Sequence, residues 1–176
     1  KCFVVLLMLL SLIFTSVAFA EEAEEKPTCT SSLGVYSQYI WRGFELSKES
    51  LVIFPSITVG YKGFGFNVWG DFDTDYYGAT TGNNSSEWWE TDMVLTYGNS
   101  FGLTSDVNLD WTLGWIYYDT DAGDDEEVFG ILGLDTILAP KFSVYRGIEY
   151  GESRYLNLAF SHSFPLHEFG LTLDLG

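Results

Sequence analysis

Val107-Asn-Leu-Asp-Trp-Thr-Leu-Gly-Trp-Ile-Tyr117 places a large apolar residue at every second position: Val107, Leu109, Trp111, Leu113, Trp115 and Tyr117. Asn108, Asp110, Thr112 and Gly114 between them are small or polar, and Ile116 is the exception. A helix repeats every ~3.6 residues and would scatter this pattern, whereas a strand sends alternate side chains to opposite faces. The stretch is therefore read as a strand with one apolar side. An ordinary sheet strand runs about 5–6 residues, while one crossing a bilayer at a tilt needs roughly 9–11. This strand is long enough to span. Alone it could also lie on a soluble sandwich, so the decision rests on the rest of the chain.

The chain opens with Lys1 and a nearly continuous apolar stretch from Phe3 to Phe19, closing on Ala18-Phe19-Ala20 and then Glu21 and Glu22. That small-x-small pattern predicts a secretory signal peptide over residues 1–20; the alternative is an uncleaved membrane anchor, against which the alanines and abrupt acids argue. Cleavage leaves 156 residues with net charge −18 in place of −17, because Lys1 is the only charged residue removed. This size suits one domain. The charge and the lack of a basic patch argue against a nucleic-acid partner. No later segment has the length and apolarity of a spanning helix, so membrane insertion would be by strands, and only a closed barrel satisfies every backbone group in hydrocarbon. Cys29 is alone in the mature chain and is expected to be a free thiol.

Residues 21–32 are acidic and then Ser/Thr-rich, and are read as a flexible lead-in. From residue 33 to 176 the alternation predicts nine strands, at 33–42, 51–61, 64–72, 88–97, 107–117, 128–136, 142–150, 155–164 and 171–175. Their connections alternate in size: Lys62-Gly63, Gly98-Asn99-Ser100 and 138–141 are short, while 73–87 and 119–127 are long and polar. Short turns on one side and longer loops on the other is the layout of outer-membrane barrels, whose short turns face the periplasm. Barrels of bacterial outer membranes use even strand numbers, so the barrel is expected to be incomplete at the C-terminal side.

Aromatics gather at both ends of these strands: Trp41, Trp88, Trp89, Trp115 and Tyr117 toward the long loops, and Tyr61, Phe64 and Tyr97 toward the short turns. Two belts of rings are expected where a barrel meets the two membrane interfaces. The opposite, inward parity offers Asp71, Glu90, Asp92, Asp106, Asp110 and Asp174 against Arg42. An acidic lining concentrates cations and repels anions, which predicts a mild cation preference; the alternative is a plugged interior in which these groups bond to one another. Arg42, beside Gly43, is read as pairing with an acidic neighbour to fix a loop rather than as a ligand site. Arg146 shares parity with Val144 and Ile148, where lipid exposure at the midplane would cost about 2–4 kcal/mol, so either a bulge shifts the register or it pairs near an interface. The acidic run 119–127 misplaces the glycine and terminal glutamate of an EF-hand, and is read as a solvated loop with no metal.

Tyr36-Ser-Gln-Tyr-Ile-Trp-Arg-Gly43, with Ser47 shortly after, resembles the opening strand of the TorF-like porins of proteobacteria, which carry a similar Tyr-x-aromatic-Arg-Gly-x-Ser segment. Val68-Trp69-Gly70 with Asp71 and Asp73, and Ile116-Tyr117-Tyr118, fit the same pattern. The resemblance implies an outer-membrane barrel with a transport role and brings no catalytic residues. The acidic 119–127 loop and the absence of a terminal aromatic depart from it.

The expected protein is thus all-β: an antiparallel up-and-down transmembrane β-barrel in the outer membrane of a Gram-negative bacterium, passing small solutes without a cofactor. Its expected partners are outer-membrane lipids, small solutes or cations, and the barrel-assembly machinery. The rival is a secreted soluble β-sandwich that binds ligands such as sugars through exposed tryptophans. An outer-membrane lipid hydrolase would need a nucleophile, a base and an orienter; the histidines, His162 and His167, display no triad in the sequence.

Overall fold

The alternation around Trp111 becomes β7 (Asn108–Thr120), which pairs along its whole length with β6 (Ser85–Gly102) and β8 (Asp125–Leu134). The computed structural model describes residues 26–48, 50–76, 85–149, 153–166 and 171–175. The expected signal peptide, the first residues of the lead-in, loop residues 77–84 and His167 lie outside them. Among the described residues every element is a strand, and no helix is long and apolar enough to cross a membrane.

Eight strands form one antiparallel sheet in which sequence neighbours are spatial neighbours: β1 (Thr28–Tyr36), β4 (Val52–Tyr61), β5 (Phe64–Tyr76), β6, β7, β8, β9 (Lys141–Gly147) and β10 (Arg154–Ala159). This is an up-and-down meander. It is not closed into a ring: β1 and β10 each carry one unpaired edge among the described residues. A small hairpin of β2 (Ile40–Trp41) and β3 (Phe44–Glu45) lies in the β1–β4 connection, and β11 (His162–Leu166) pairs only with β12 (Leu171–Leu175). The segment predicted as one strand at 155–164 is therefore broken. Ser161 N donates to Leu138 O at 2.9 Å and His162 Nδ1 meets Ile137 O at 2.6 Å, so this stretch bonds to the β8–β9 turn instead of extending the sheet.

Other boundaries differ for physical reasons. Residues Thr28–Ser32, expected in the lead-in, pair with Ser56–Gly60; both of their faces are small or polar, so no hydrophobic period announces the strand. The predicted first strand ends at Tyr36, before the β2–β3 hairpin. The predicted turn at Gly98–Ser100 is strand, since Gly98 passes close to the Trp111 carbonyl and Thr112, and the chain turns only at 103–107. The 119–127 loop shrinks to 121–124, because Asp119 and Thr120 extend β7 while Asp125, Glu126 and Glu127 begin β8. The Lys62-Gly63 hairpin is as predicted: φ is +50° and +80°, as a two-residue type I′ turn requires.

One face of the sheet carries Leu33, Ile57, Phe66, Leu95, Leu113, Leu132, Phe142 and Leu156, all exposed, with Leu33 at 69% and Leu113 at 60%. The other carries Ser56, Thr58, Asn67, Asp71, Glu90, Thr112, Glu127 and Ser143, several of which are buried. Asp71 is 2%, Glu127 4% and Glu90 5% exposed. The polarity is inverted relative to a water-soluble sheet, whose carboxylates stay outside. Among the described residues no second layer covers the apolar face.

Candidate functional site

The β1–β4 connection folds over the polar face instead of running outward from the end of the sheet. Trp41 pairs with Phe44, and Arg42 and Gly43 form the tip between them with φ of +51° and +86°. This is the geometry of a type I′ turn, which places a non-glycine residue in the left-handed region. At the base of this hairpin Tyr39 N donates to Ser47 Oγ at 2.6 Å and Leu46 N donates to Tyr39 O at 2.9 Å. Ser47 is itself buried. The motif from Tyr36 to Ser47 is thus a folding unit: Gly43 permits the turn and Ser47 closes it.

Two side chains of the hairpin reach the sheet. Tyr39 is buried against Phe54, Trp69 and Trp89, with ring centroids 5.1, 5.8 and 6.4 Å away, and its hydroxyl donates to Glu90 Oε2 at 3.0 Å. Burial, reinforced by the Glu90 charge, pushes the Tyr39 hydroxyl well above the ordinary phenol range. Arg42 reaches farther. Its guanidinium donates to both carboxylate oxygens of Glu127, Nη1 to Oε1 at 2.7 Å and Nη2 to Oε2 at 2.5 Å. Its Cζ lies 4.3, 4.7 and 4.5 Å from the ring centres of Trp41, Tyr145 and Tyr155. Tyr118 also donates to Glu127 Oε2, at 2.9 Å. Burial opposes the charge on Arg42, but the bonds to Glu127 outweigh it and the guanidinium is held above its ordinary value. Bidentate pairing inside an aromatic cage is the use to which arginine is better suited than lysine.

Beside this latch stands an acidic group on the sheet. Asp71 of β5 lies directly opposite Glu90 of β6, and Asp92 follows on the same face. Asp71 Oδ1 and Asp92 Oδ1 are buried without a hydrogen-bond partner in the protein. Carboxylates set directly opposite one another repel, so this face favours a counter-cation or a proton. Among the described residues no cluster of histidine, cysteine and acidic side chains has metal-binding geometry.

The other candidate residues expected from the sequence are scattered. Asp110 is exposed on the polar face opposite Gly133 and Ser100. Asp106 sits in the 103–107 turn bonded to Ser105, and Asp174 lies on β12 opposite Ser163. Of the ring residues, Trp88, Tyr61, Phe64 and Tyr97 are exposed, and Trp115 stacks on Tyr117 at 6.3 Å. Trp41 and Trp89 face inward instead. A register shift after Asp71 leaves Trp89 unpaired between Glu90 and Trp88, and the bulge turns its ring onto Tyr39 and Tyr76. Alternation cannot reveal such a bulge. Glu127, expected within a solvated loop, belongs to β8 and holds Arg42. Arg146 keeps its outward parity, with no register shift in β8–β9–β10, at the loop end of β9. Trp115 and Tyr117 bind Glu126 and Asp124 at 2.7 and 2.6 Å, so the acidic turn is tied to the aromatics beside it.

No family model, no curated protein and no solved structure matches this chain.

Proposed function

We propose that the chain forms the wall of an outer-membrane β-barrel that passes small solutes with a mild preference for cations, and that the β2–β3 hairpin forms its constriction. The observation that carries this reading is the inverted polarity: leucine, phenylalanine and valine exposed on one face, aspartate and glutamate buried on the other. In water a continuous apolar face of this kind demands a cover; in a bilayer, acyl chains supply it. A soluble sandwich would bury that face between two layers, and the described residues place nothing there.

In hydrocarbon both open edges require partners. A barrel therefore requires β1 and the β10 side to be joined through further strand pairing, for which the β11–β12 hairpin is the next described element along the chain. The likeness of Tyr36–Gly43 to the opening strand of TorF-like porins, and the apolar start of the chain, agree with export to the outer membrane and insertion there by the barrel-assembly machinery. Asp71, Glu90 and Asp92 would meet a permeating ion, and an acidic ring of this kind favours cations.

Conductance of the refolded protein in a planar bilayer under a salt gradient tests the proposal. A cation-favouring reversal potential is expected, with the hairpin limiting the current. An anion-favouring current, or a protein that stays soluble and monomeric without detergent, would overturn it. A silent wild type whose current appears on Arg42→Ala would make the hairpin a plug, a reading favoured by the closed Arg42–Glu127 latch.

A further inference from the structure

The seat of Arg42 is built by the sheet, not by the hairpin that fills it. Tyr118 comes from β7, Glu127 from β8, Tyr145 from β9 and Tyr155 from β10, and the hairpin adds Trp41 and the guanidinium itself. Each sheet residue is fixed by a neighbour outside the hairpin. Tyr118 donates to Glu127 Oε2 at 2.9 Å, Tyr145 stacks on Phe129 at 5.2 Å, and the Tyr155 ring lies 5.9 Å from that of Tyr145. Strand register sets the order, since Phe129 stands opposite Tyr145 and Tyr145 opposite Tyr155. A carboxylate flanked by aromatic rings is therefore a property of the sheet alone.

The chemistry of this seat is selective. Glu127 takes the fork through both oxygens, Nη1 to Oε1 at 2.7 Å and Nη2 to Oε2 at 2.5 Å, while the Tyr145 and Tyr155 ring centres lie 4.7 and 4.5 Å from Cζ. A planar guanidinium meets the two oxygens and the rings at once, whereas an ammonium is a point charge without the fork. The element that delivers Arg42 is slight by comparison: β2 and β3 pair only as Ile40 with Glu45 and Trp41 with Phe44, and Arg42 itself sits in the left-handed region at φ +51°. With the tip lifted, Glu127 loses its cation but keeps its rings, so the seat favours any guanidinium that reaches it.

We propose that this seat binds a small alkylguanidinium solute, and that Arg42 occupies it as a tethered stand-in which such a solute displaces, releasing the hairpin. The inference deepens the pore reading above and rests on it for its consequence, because it names the class of cation that the hairpin admits. The ligand follows from the occupant: the group that the sheet already holds, at these distances and through these two bonds, is a guanidinium on an alkyl stem. A short tether gives Arg42 an effective concentration of about the millimolar range. Millimolar solute therefore competes with it in the wild type, and less suffices once Arg42 is removed.

The test uses the full chain refolded in a neutral detergent, with methylguanidine as the probe, methylammonium as the control and tryptophan fluorescence as the readout of binding. Arg42→Ala, which vacates the seat, should bind methylguanidine about tenfold or more tighter than the wild type does, and methylammonium about tenfold more weakly than methylguanidine. Adding Glu127→Gln to Arg42→Ala should abolish the binding. Ser47→Ala, which loosens the base of the hairpin and leaves the seat intact, covers an Arg42→Ala chain that fails to fold, and should also bind methylguanidine more tightly than the wild type. Equal affinity for the two probes, binding that survives Glu127→Gln, or no methylguanidine binding by either folded variant would overturn the proposal. Planar bilayers separate its failure from that of the pore: a chain that binds methylguanidine yet conducts in no variant sinks the pore reading and leaves the seat, whereas one that conducts without binding sinks the seat alone.

Discussion

Arg42 and Glu127, 85 residues apart in sequence, meet in a two-bond ion pair of 2.7 and 2.5 Å that pins the tip of the β2–β3 hairpin onto β8. With Trp41, Tyr145 and Tyr155 around the guanidinium, the contact joins the β1–β4 connection to three strands on the far side of the sheet. Removing one partner strands a buried charge, which costs about 3–5 kcal/mol in comparable pairs. Arg42→Ala should therefore release the hairpin while the sheet persists. Single-channel conductance should rise, and Arg42→Lys, which loses the fork geometry, should fall between. An unchanged conductance in Arg42→Ala would separate the hairpin from the permeation path.

The Tyr39 hydroxyl gives a pH dependence with a defined sign. Its folded pKa lies above the unfolded value, because burial and then Glu90 disfavour the phenolate. The stabilisation is thus fully present below the unfolded phenol value of about 10 and is lost as pH rises beyond it. Urea unfolding of the refolded protein should show stability falling above about pH 10. Tyr39→Phe should flatten that limb while costing about 1 kcal/mol at neutral pH for the lost bond to Glu90.

Asp71 and Asp92 should set ion preference. Replacing both by asparagine keeps the volume and removes two ionisable carboxyl groups from the polar face. The reversal potential under a salt gradient should move toward zero. A shift toward stronger cation preference would contradict the lining argument.

Gly114 lies beneath the Phe129 ring, and a Cβ at this position would collide with it. Phe129 in turn stacks on Tyr145 at 5.2 Å, beside the Arg42 cage. Gly114→Val should displace both rings, cost about 1–3 kcal/mol as an overpacked site does, and loosen the latch. Heat-modified mobility on cold gels together with urea midpoints would read the loss.

Cys29 is an exposed free thiol on β1, opposite Val59 and on the same face as Leu33 and Val35. If that face meets lipid, a charged maleimide should label it slowly in membranes and rapidly after denaturation. Equal rates in both states would place the face in water.

Several features are legible in the residues alone. Period-two alternation from Val107 to Tyr117 sets the strand class and the side of each residue, because the pleat leaves no other assignment. The Lys62-Gly63 hairpin and the antiparallel meander follow from short punctuation, and the parity of Arg42 beside Gly43 points to a loop-fixing partnership with an acid. What stays hidden has one cause. The strand bounds at Thr28 and Gly102 depend on backbone pairing with β4 and β7, because Thr28–Ser32 and Gly98–Gly102 carry no hydrophobic period of their own. The inward turn of Trp89 depends on a bulge, which shifts parity without altering composition. The choice of Glu127, out of the many acids of the chain, as the seat of Arg42 depends on how far a mini-hairpin reaches across four strands. Sequence determines the face a side chain takes within its own strand; which residues meet across the sheet is decided by register and by loops folding back, and those are properties of the assembled chain.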